Sequence, residues 1–249
     1  AAEVPVVAPL PLKNPVRPKA TLSKSQDGIF FAVFPKMRGR LLDELREDQL
    51  QVLGRFLARL HSVGAGMTSS KRLRLDTKTY GRASLEFLSN SGFLEGSPGA
   101  RYRQLVETIL QQAEWRLEGV PMQRIHGDCH LGNVLWNEVG PFFVDFDDML
   151  VGPPVQDIWM IVRGNDEEAL RARDTLVTAY EEMRDFDRST LELVEPLRAL
   201  RIIHYSAWIA RRWEDPSFQR MFPSFGTEKW WEGEIEALYR VLHSINPEI

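Results

Sequence analysis

The sequence contains a single cysteine, Cys129, and lacks any long hydrophobic run. One cysteine cannot form a disulfide within the chain, which favours a reducing compartment, and we expect the cytoplasm. No apolar run approaches the roughly 18 residues needed to span a bilayer, and no basic segment followed by an apolar one opens the chain. We therefore expect no membrane partner.

The sequence also lacks an excess of positive charge. It has 31 Lys and Arg against 35 Asp and Glu, which gives a formal net charge of −4. Proteins that bind the backbone of nucleic acids normally carry a basic excess, so we expect no nucleic-acid partner. Hydrophobic residues make up 43% and charged residues 27% of the 249 positions. This composition is typical of a globular chain and excludes wholesale disorder and fibrous classes.

Short extended segments separated by prolines and turns make up residues 1–34. Ile29–Phe34 is the strongest short apolar run. It follows the Asp27-Gly28 turn and ends at Pro35, so it predicts a buried strand. No element that could begin a fold precedes the extended segment at residues 4–10, and we expect further residues upstream of it.

Helical periodicity replaces these extended segments further along the chain. Leu50, Leu53, Leu57 and Leu60 recur at helical spacing, and glycines at 64 and 66 end the predicted helix. Further helical patterns lie at residues 80–94, 101–118, 156–163, 166–183, 189–213 and 227–244. Between them, residues 122–145 consist of short β-rich pieces around a turn-rich loop. This order predicts an α+β fold with a mainly helical body.

Three polar side chains of the central segment fit the chemistry of phosphoryl transfer. Asp128 and Asn133 lie five residues apart on one loop, and Asp145 follows a short apolar strand. Phosphoryl transfer needs one carboxylate that accepts or orients the proton of the acceptor hydroxyl. It also needs a second carboxylate and an amide oxygen that hold magnesium. The spacing matches the protein-kinase signature. Gly127 and Gly132 allow the loop to make turns that a side chain would obstruct.

Other interpretations of this loop stay open from the residues alone. Asp and Asn favour turns, so the pair could be a hydrogen-bonded turn without chemistry. His126, His130 and Asp128 could form a two-His-one-carboxylate metal site, but only an oxygen-ligand magnesium site explains Asn133 and Asp145. His126 is otherwise expected to bond the loop backbone, and His130 to lie near the acceptor.

Two further features have both a structural and a functional interpretation. Cys129 could be a redox switch if its pKa were depressed, but nearby carboxylates raise a thiol pKa, which favours an inert, partly buried side chain. Arg198, Arg201, Arg211 and Arg212 punctuate an apolar helix. They could form a solvated rim or a basic wall for an acidic or phosphate-bearing substrate, and the apolar stripe of the helix favours the rim.

The segment His126-Gly127-Asp128-Cys129-His130-Leu131-Gly132-Asn133 resembles the catalytic loop of the aminoglycoside phosphotransferase and choline kinase superfamily. More narrowly, the chain resembles the bacterial stress response kinases of the RdoA type, in order and over nearly its whole length. The segments that carry this resemblance include Phe31 to Pro35, Gly152 through Asp157, Glu195 to Ala199, and Trp208 through Trp213. The resemblance implies a protein-kinase-like fold. Residues 1–36 would be the remainder of a small β N-terminal lobe with its linker, and residues 37–249 a helical catalytic lobe.

The resemblance also implies a phosphotransferase that uses Mg²⁺ and ATP. Asp128 would be the catalytic base, and Asn133 and Asp145 the magnesium ligands. His126 and Asp157 would be structural braces of the catalytic loop. The implied acceptor is a Ser or Thr hydroxyl of a protein, with the enzyme itself among the candidates. The implied role is in the bacterial stress response. We expect the protein to be a monomer.

For the nucleotide, the resemblance places adenine against the segment that links the two lobes. The backbone of Val33 to Lys36, with Phe34 between them, would offer hydrogen bonds to the base. Leu135 and Val144 would form apolar walls of the pocket.

The chain departs from the family pattern in two places. Asp145 is followed by Phe146-Asp147, so an acid replaces the kinase glycine, and either Asp147 or Asp148 could join the metal site. In the family pattern, a phosphate-binding loop, its lysine and a glutamate partner of that lysine precede the region that matches residues 1–10. None of the three is found in this sequence. Lysines at 13, 19 and 24 lie in a different sequence context from the phosphate-binding lysine of the family, and we do not predict that any of them replaces it. The chain by itself is therefore expected to be weak or inactive, which ATP turnover would contradict.

Two alternatives remain at the level of the sequence. One is a small-molecule kinase of the same superfamily that acts on an amino alcohol, a sugar or an aminoglycoside. The other is a kinase-like binding module without catalysis. A compact acidic pocket would favour the small-molecule kinase, and an open groove would favour a protein acceptor.

Overall fold

The leucine stripe that predicts a helix forms α1, Glu47–Ala65, in a computed structural model that describes residues 4–16, 21–67 and 69–246. Leu53 and Leu57 are fully buried, and Gly66 caps the helix at its C-terminal end. The Arg46 backbone N–H donates to the Gln49 Oε1 atom at 3.0 Å, which satisfies one polar group of the first turn. The predicted helix is confirmed. Lys19 lies outside the described residues.

The described residues form two compact units, and each is made of three stretches of chain. The first unit takes residues 1–66, 128–149 and 157–186, and the second takes 67–127, 150–156 and 187–249. The predicted division into lobes at residue 36 stays a prediction, and part of its first lobe lies outside the described residues.

In the first unit, α1 packs against a helix whose buried residues include Leu176 and Tyr180. The other elements of this unit are β1 (Ser23–Lys24), β2 (Phe30–Phe31), β4 (Val134–Asn137), β5 (Gly140–Phe143), α4 (Val155–Ile161, shared at its first residues with the second unit) and α5 (Glu167–Glu181). Strands β4 and β5 form an antiparallel hairpin in which Val134 faces Phe143. This hairpin follows the turn-rich loop directly and so fixes where that loop ends.

The second unit is a helical body around a few large buried side chains. Its elements are α2 (Ala83–Asn90), α3 (Gly96–Leu117), β3 (Gln123–Ile125), β6 (Leu150–Gly152), α6 (Val194–Ala210), α7 (Pro216–Met221) and α8 (Glu228–Ile245). Helices α3 and α6 both pack on α8. The rings of Tyr102 and Trp231 lie 5.0 Å apart in this core, and both side chains are buried. Antiparallel pairing of β3 with β6 brings Ile125 opposite Leu150.

The prediction of a buried strand at Ile29–Phe34 is wrong. Only Phe30 and Phe31 pair as a strand, with the two residues of β1. Ile29 is 67% exposed, and Phe30 is 58% exposed. A run that is apolar at every position can be buried only where layers cover both of its faces, and a ladder of two residue pairs covers neither.

The helices after residue 66 follow the sequence pattern with shifted ends. A π-helical segment, Thr77–Arg82, precedes α2, so the pattern at 80–94 spans two kinds of helix. A 3-10 helix, Arg188–Leu193, begins the predicted 189–213 helix, and α6 continues it from residue 194. The α+β fold class with a mainly helical body is confirmed. In the described residues, no helix is long and apolar enough to cross a membrane.

Candidate active site

The loop that carries the predicted base begins directly after β3. Gly127 has a φ of 85°, in the left-handed region that glycine tolerates best, which explains glycine at this position. Its carbonyl oxygen accepts a hydrogen bond from the Gln156 Nε2 atom at 3.3 Å, within the second unit. The preceding side chain, His126, is buried. The chain therefore enters the loop with a fixed turn.

Asp128 and Asn133 are brought together by the loop that they bound. The Asn133 Nδ2 atom donates to the Asp128 backbone oxygen at 3.0 Å and lies 3.5 Å from the Asp128 Oδ2 atom. Two backbone hydrogen bonds of 2.8 Å, from the N–H of His130 to Asp128 and from the N–H of Asn133 to His130, tighten the turn. The Asp128 side chain keeps 18% of its surface exposed. A carboxylate in this position is ordered and still accessible to a substrate.

The His130 ring lies beside the predicted base. Its Nε2 atom is 3.4 Å from the Asp128 Oδ2 atom. A Cβ atom on Gly132 would lie 2.7 Å from the His130 Cε1 atom, closer than real Cβ contacts allow. Gly132 is therefore needed to leave room for the ring. The sequence predicted that glycine is needed at position 132 for a turn. The structure shows that the close approach of the His130 ring requires it.

Asp145 is held at the end of the β4–β5 hairpin by a bond to the same loop. The backbone N–H of Val144 donates to the Asn133 carbonyl oxygen at 3.0 Å, which places the residue after Val144 next to the Asn133 turn. Asp145 has a φ of 61°, and among the described residues it is the one non-glycine residue with a positive φ. Such a conformation costs free energy and concentrates at functional sites.

Asn133 and Asp145 fit a magnesium site of the kind completed by substrate. Among the described residues, no three His, Cys, Asp or Glu side chains are assembled into a complete protein cage for a metal. Mg²⁺ usually binds one or two carboxylates together with substrate phosphates and water, and an amide and a carboxylate oxygen are ligands of the type it takes. Because the Asn133 Nδ2 atom points to Asp128, its Oδ1 atom is left for a cation. The two-His-one-carboxylate alternative finds no support.

A buried polar network contains Asp157, which was predicted as a brace of the loop, and two partners that the sequence did not predict. Asp157, at the start of α4, has its Oδ2 atom 3.0 Å from the His61 Nε2 atom, and the His61 Nδ1 atom lies 3.1 Å from the Tyr180 hydroxyl. The side chains of His61 and Asp157 are fully buried. The one available signal was that His61 continues the leucine stripe of α1, on a face where a polar residue needs a partner.

Cys129 directly follows the predicted base in the chain, and its thiol is buried. Its side chain is fully buried. Burial raises the pKa of the Cys129 thiol well above its ordinary value, and the charges of Asp157 and Asp128 raise it further. A thiol that resists ionisation is a poor nucleophile. The structure therefore favours the inert interpretation over the redox switch.

The five residues predicted for the nucleotide pocket all belong to the first unit. Val33, Phe34 and Lys36 are exposed, on a segment without regular structure, and Leu135 and Val144 are partly exposed on and after the β4–β5 hairpin. The Val33 carbonyl oxygen already accepts the Leu10 N–H at 2.7 Å. The part of this prediction that concerns backbone hydrogen bonds to adenine stays a prediction.

A cavity of about 570 Å³ in the first unit is lined by His130, Leu131 and Gly132, the residues that follow the predicted base. Its other walls are the segment before α1, the end of α4 and the start of α5. The carboxylates that line it are those of Asp43, Glu44, Asp166 and Glu168, against one arginine, Arg163. The cavity is wide open to solvent and acidic, a combination that the sequence did not reveal.

Comparison with known proteins assigns the chain to a family of phosphotransferases. A sequence model of the phosphotransferase enzyme family matches residues 1–194. Stress response kinase A of Salmonella paratyphi A is 37% identical over 246 residues, which cover 97% of this chain and 73% of that protein. The serine/threonine protein kinase RdoA of Salmonella typhimurium is 36% identical over the same lengths.

A solved structure shares the fold at much lower identity. An amicoumacin kinase, in complex with AMP-PNP and Ca²⁺, superposes with a TM-score of 0.67 and 16% identity. The match covers 91% of this chain and 72% of that one. At this identity the likeness establishes the fold alone.

Proposed function

The chain belongs to the phosphotransferase enzyme family and has the kinase activity of that family, and we propose that it is a bacterial stress-response kinase that phosphorylates proteins. In this proposal it transfers the γ-phosphate of Mg-ATP to a serine or threonine hydroxyl in the cytoplasm. Its own hydroxyl groups are among the candidate acceptors. Residues 1–36 then form the nucleotide-facing lobe and linker, and residues 37–249 the catalytic lobe.

The observation that carries the proposal is the bonded arrangement of Asp128, Asn133 and the residue before Asp145. Asn133 donates its side-chain N–H to the Asp128 backbone, and its own carbonyl accepts the Val144 N–H. One asparagine thereby joins the segment of the base to the segment of the second carboxylate. The positive φ of Asp145 supports the proposal further, because such conformations concentrate at functional sites.

The residues of this chain would divide the reaction as follows. The Asp128 carboxylate would accept a hydrogen bond from the acceptor hydroxyl and orient its oxygen towards the γ-phosphate. As the new P–O bond forms, the bond from the γ-phosphorus to the oxygen shared with the β-phosphate breaks and ADP leaves, while Asp128 takes the hydroxyl proton. His130, beside it, restricts the position of that carboxylate. The Asn133 Oδ1 atom and an Asp145 oxygen hold the metal. Bound magnesium would neutralise charge on the phosphates. Positioning and charge neutralisation supply most of the rate enhancement for this reaction.

The remaining predicted residues would bind the nucleotide or support the catalytic loop. The exposed backbone of Val33, Phe34 and Lys36 would meet the adenine edge, with Leu135 and Val144 against its faces. Asp157 and His126 would brace the loop. Full burial of Asp157 and its bond to His61 support the role of brace.

A second candidate, a small-molecule kinase, is favoured by one observation. The cavity beside His130 is lined by four carboxylates and one arginine, which suits a cationic acceptor such as an amino alcohol or an aminoglycoside. The same cavity is open to solvent, which also suits a protein segment whose hydroxyl is flanked by Lys or Arg. The 36–37% identity to kinases of the stress-response type supports the protein acceptor as the first candidate.

The test is transfer of labelled phosphate from Mg-ATP by the full-length form of the protein, with products separated into protein-bound and small-molecule fractions. Asp128→Asn is expected to lower kcat by about 10²- to 10⁴-fold, because it removes the proton acceptor, while the Kd for ATP stays near that of the wild type. Asp27→Asn is the matched control, since Asp27 is an exposed turn residue that Asn can replace.

Each outcome of this assay identifies one function. Protein-bound label that is lost in Asp128→Asn and kept in Asp27→Asn supports the protein kinase. Label on small alcohols alone supports the second candidate. Equal activity of the two variants would contradict the role of Asp128, and absence of label throughout would leave a binding module without catalysis.

A further inference from the structure

One face of α6 and of the turn after it is strongly basic. Arg201, His204, Trp208, Arg211 and Arg212 are spaced by three, four, three and one residues, so they fall on the same side of the helix. We call this set the arginine face. It lies within the second unit, and none of the residues predicted for phosphoryl transfer or nucleotide binding belongs to it.

Aromatic rings hold the two terminal arginines. The Arg211 guanidinium lies 4.8 Å from the centre of the Phe87 ring, and the Arg212 guanidinium lies 4.5 Å from that of Trp208. The Arg212 Nη1 atom also donates to the Trp208 carbonyl oxygen at 3.2 Å. Stacking of this kind fixes the plane of a guanidinium while its other N–H groups stay available.

Neither of these arginines has a carboxylate partner among the described residues, and both are exposed. On the same helix, by contrast, the Arg198 Nη1 atom lies 3.2 Å from the Glu195 Oε1 atom. Asp215 follows closely in the sequence, but its carboxylate accepts hydrogen bonds of 2.8 Å from the backbone N–H and the hydroxyl of Ser217. The positive charge of Arg211 and Arg212 is therefore left unneutralised.

The neighbouring groups respond to this charge. Burial lowers the pKa of the Arg211 guanidinium, and Arg212 lowers it further. Burial also lowers the pKa of His204 to about 4, together with the charges of Arg211, Arg201 and Arg212. A proton is thus disfavoured at His204, first because the ring is buried and then because cations lie near it.

His204 itself is held in place by uncharged neighbours. Its ring stacks on that of Tyr80 with 3.9 Å between centroids, and its Nδ1 atom lies 3.2 Å from the Ser84 hydroxyl. The imidazole is therefore a fixed polar group at the base of the arginine face, without a negative partner in these contacts. An anion that binds to Arg211 and Arg212 would relieve the repulsion between their charges.

We propose that the arginine face binds a phosphate monoester, carried either by a phosphorylated protein side chain or by a small phosphorylated molecule. Two adjacent guanidiniums match the two negative charges of such a group and offer planar, paired N–H donors to its oxygens. A single carboxylate would neutralise only one of them. This site would let the kinase bind a substrate or product that already bears phosphate, separately from the γ-phosphate that it transfers.

The alternative is that the arginines only cover aromatic rings with their stems. If the arginines only cover aromatic rings, no anion should bind, so a binding measurement distinguishes the two interpretations. The probes are phosphoserine and a ten-residue peptide that contains one phosphoserine, each compared with its unphosphorylated form. Binding is measured by titration calorimetry at low ionic strength, without nucleotide or magnesium.

We expect both phosphorylated probes to bind and the double variant Arg211→Gln/Arg212→Gln to bind about tenfold more weakly or worse, since it loses two charge-assisted partners. The matched control is Arg171→Gln/Arg240→Gln, which removes the same charge from two exposed arginines that pair with Glu167 and Glu236. It should retain wild-type affinity. Tighter binding of the peptide than of phosphoserine would identify a protein ligand, and equal binding a small molecule.

A second measurement uses the wild type alone, in case the double variant fails to fold. The His204 ring resonances are followed by NMR as phosphoserine is added, and we expect them to shift and the ring to titrate at higher pH. No shift, an equal loss of binding in the control, or displacement of the probe by Mg-ATP would each overturn the proposal. Displacement would assign the binding to the nucleotide site.

Discussion

At the scale of single residues, His204 should make the protein less stable in mild acid. Its pKa is lowered to about 4 in the folded state, whereas an unfolded chain has the ordinary value near 6.5. Between these values the unfolded state binds more protons, so the free energy of unfolding falls as the pH falls from 6.5 towards 4. From pH 7 to pH 5 this residue should account for a loss of about 2 kcal/mol.

Denaturant unfolding at several pH values measures this contribution. In His204→Gln the free energy of unfolding should depend less on pH over this range than in the wild type. His243→Gln, which changes an exposed histidine near the end of α8, is the control and should keep the wild-type dependence. Phosphate buffer is to be avoided, because an anion at the arginine face would raise the His204 pKa. Identical pH profiles for wild type and His204→Gln would contradict the prediction.

Which residues the sequence could predict depended on how far apart they lie in the chain. Asp128, Asn133 and Asp145 are within 17 residues and joined by one hairpin, so spacing was enough to nominate them. His61 meets Asp157 across 96 residues, and no local pattern announces such a pair. The sequence also favoured a solvated rim for the arginines of α6, because it could not show that two of them would lack carboxylate partners.

At the scale of elements, the packing of α1 on α5 depends on one residue without a side chain. A Cβ atom at Gly54 would meet the Leu176 carbonyl oxygen and would lie 3.1 Å from the Ala179 Cβ atom. Gly54→Ala should therefore lower the free energy of unfolding by about 1–3 kcal/mol, the usual cost of overpacking, although alanine has the higher helix propensity.

Gly233→Ala is the matched control for this substitution. Gly233 lies within α8, and a Cβ atom there would meet nothing within 4 Å. The same change should raise the free energy of unfolding by about 0.5–1 kcal/mol through helix propensity alone. Opposite signs in denaturant titrations are expected. A stabilising Gly54→Ala would show that α1 and α5 are less closely packed than the structure indicates.

Helices were predicted better than strands, for a physical reason. The stripe of α1 specifies its buried face locally, because residues three and four apart share one side of a helix. A strand depends on partners and layers elsewhere in the chain, which is why Ile29–Phe34 looked buried and is exposed. The kinase-like arrangement of elements came from the resemblance of motifs rather than from periodicity.

At the scale of the whole molecule, nucleotide and metal should stabilise the protein together. A ligand that binds only the folded state adds about 2.7 kcal/mol at a hundred times its Kd. ATP with Mg²⁺ should therefore raise the thermal midpoint more than ATP with EDTA, because the proposed ligands Asn133 and Asp145 would act on the phosphates through the cation. Asp145→Asn should remove most of this metal-dependent increment, and Asp27→Asn should leave it intact. An undiminished increment in Asp145→Asn would contradict its role as a ligand.

The lone buried cysteine has a practical consequence for probing motions in solution. Since Cys129 is buried and its raised pKa leaves little thiolate at neutral pH, a maleimide dye or a nitroxide will react first with any cysteine placed on the surface. Exposed helix positions such as Gly233 then become sites for a single fluorophore or spin label, with no need to delete the native thiol first. Two such labels would report distances across the enzyme during turnover.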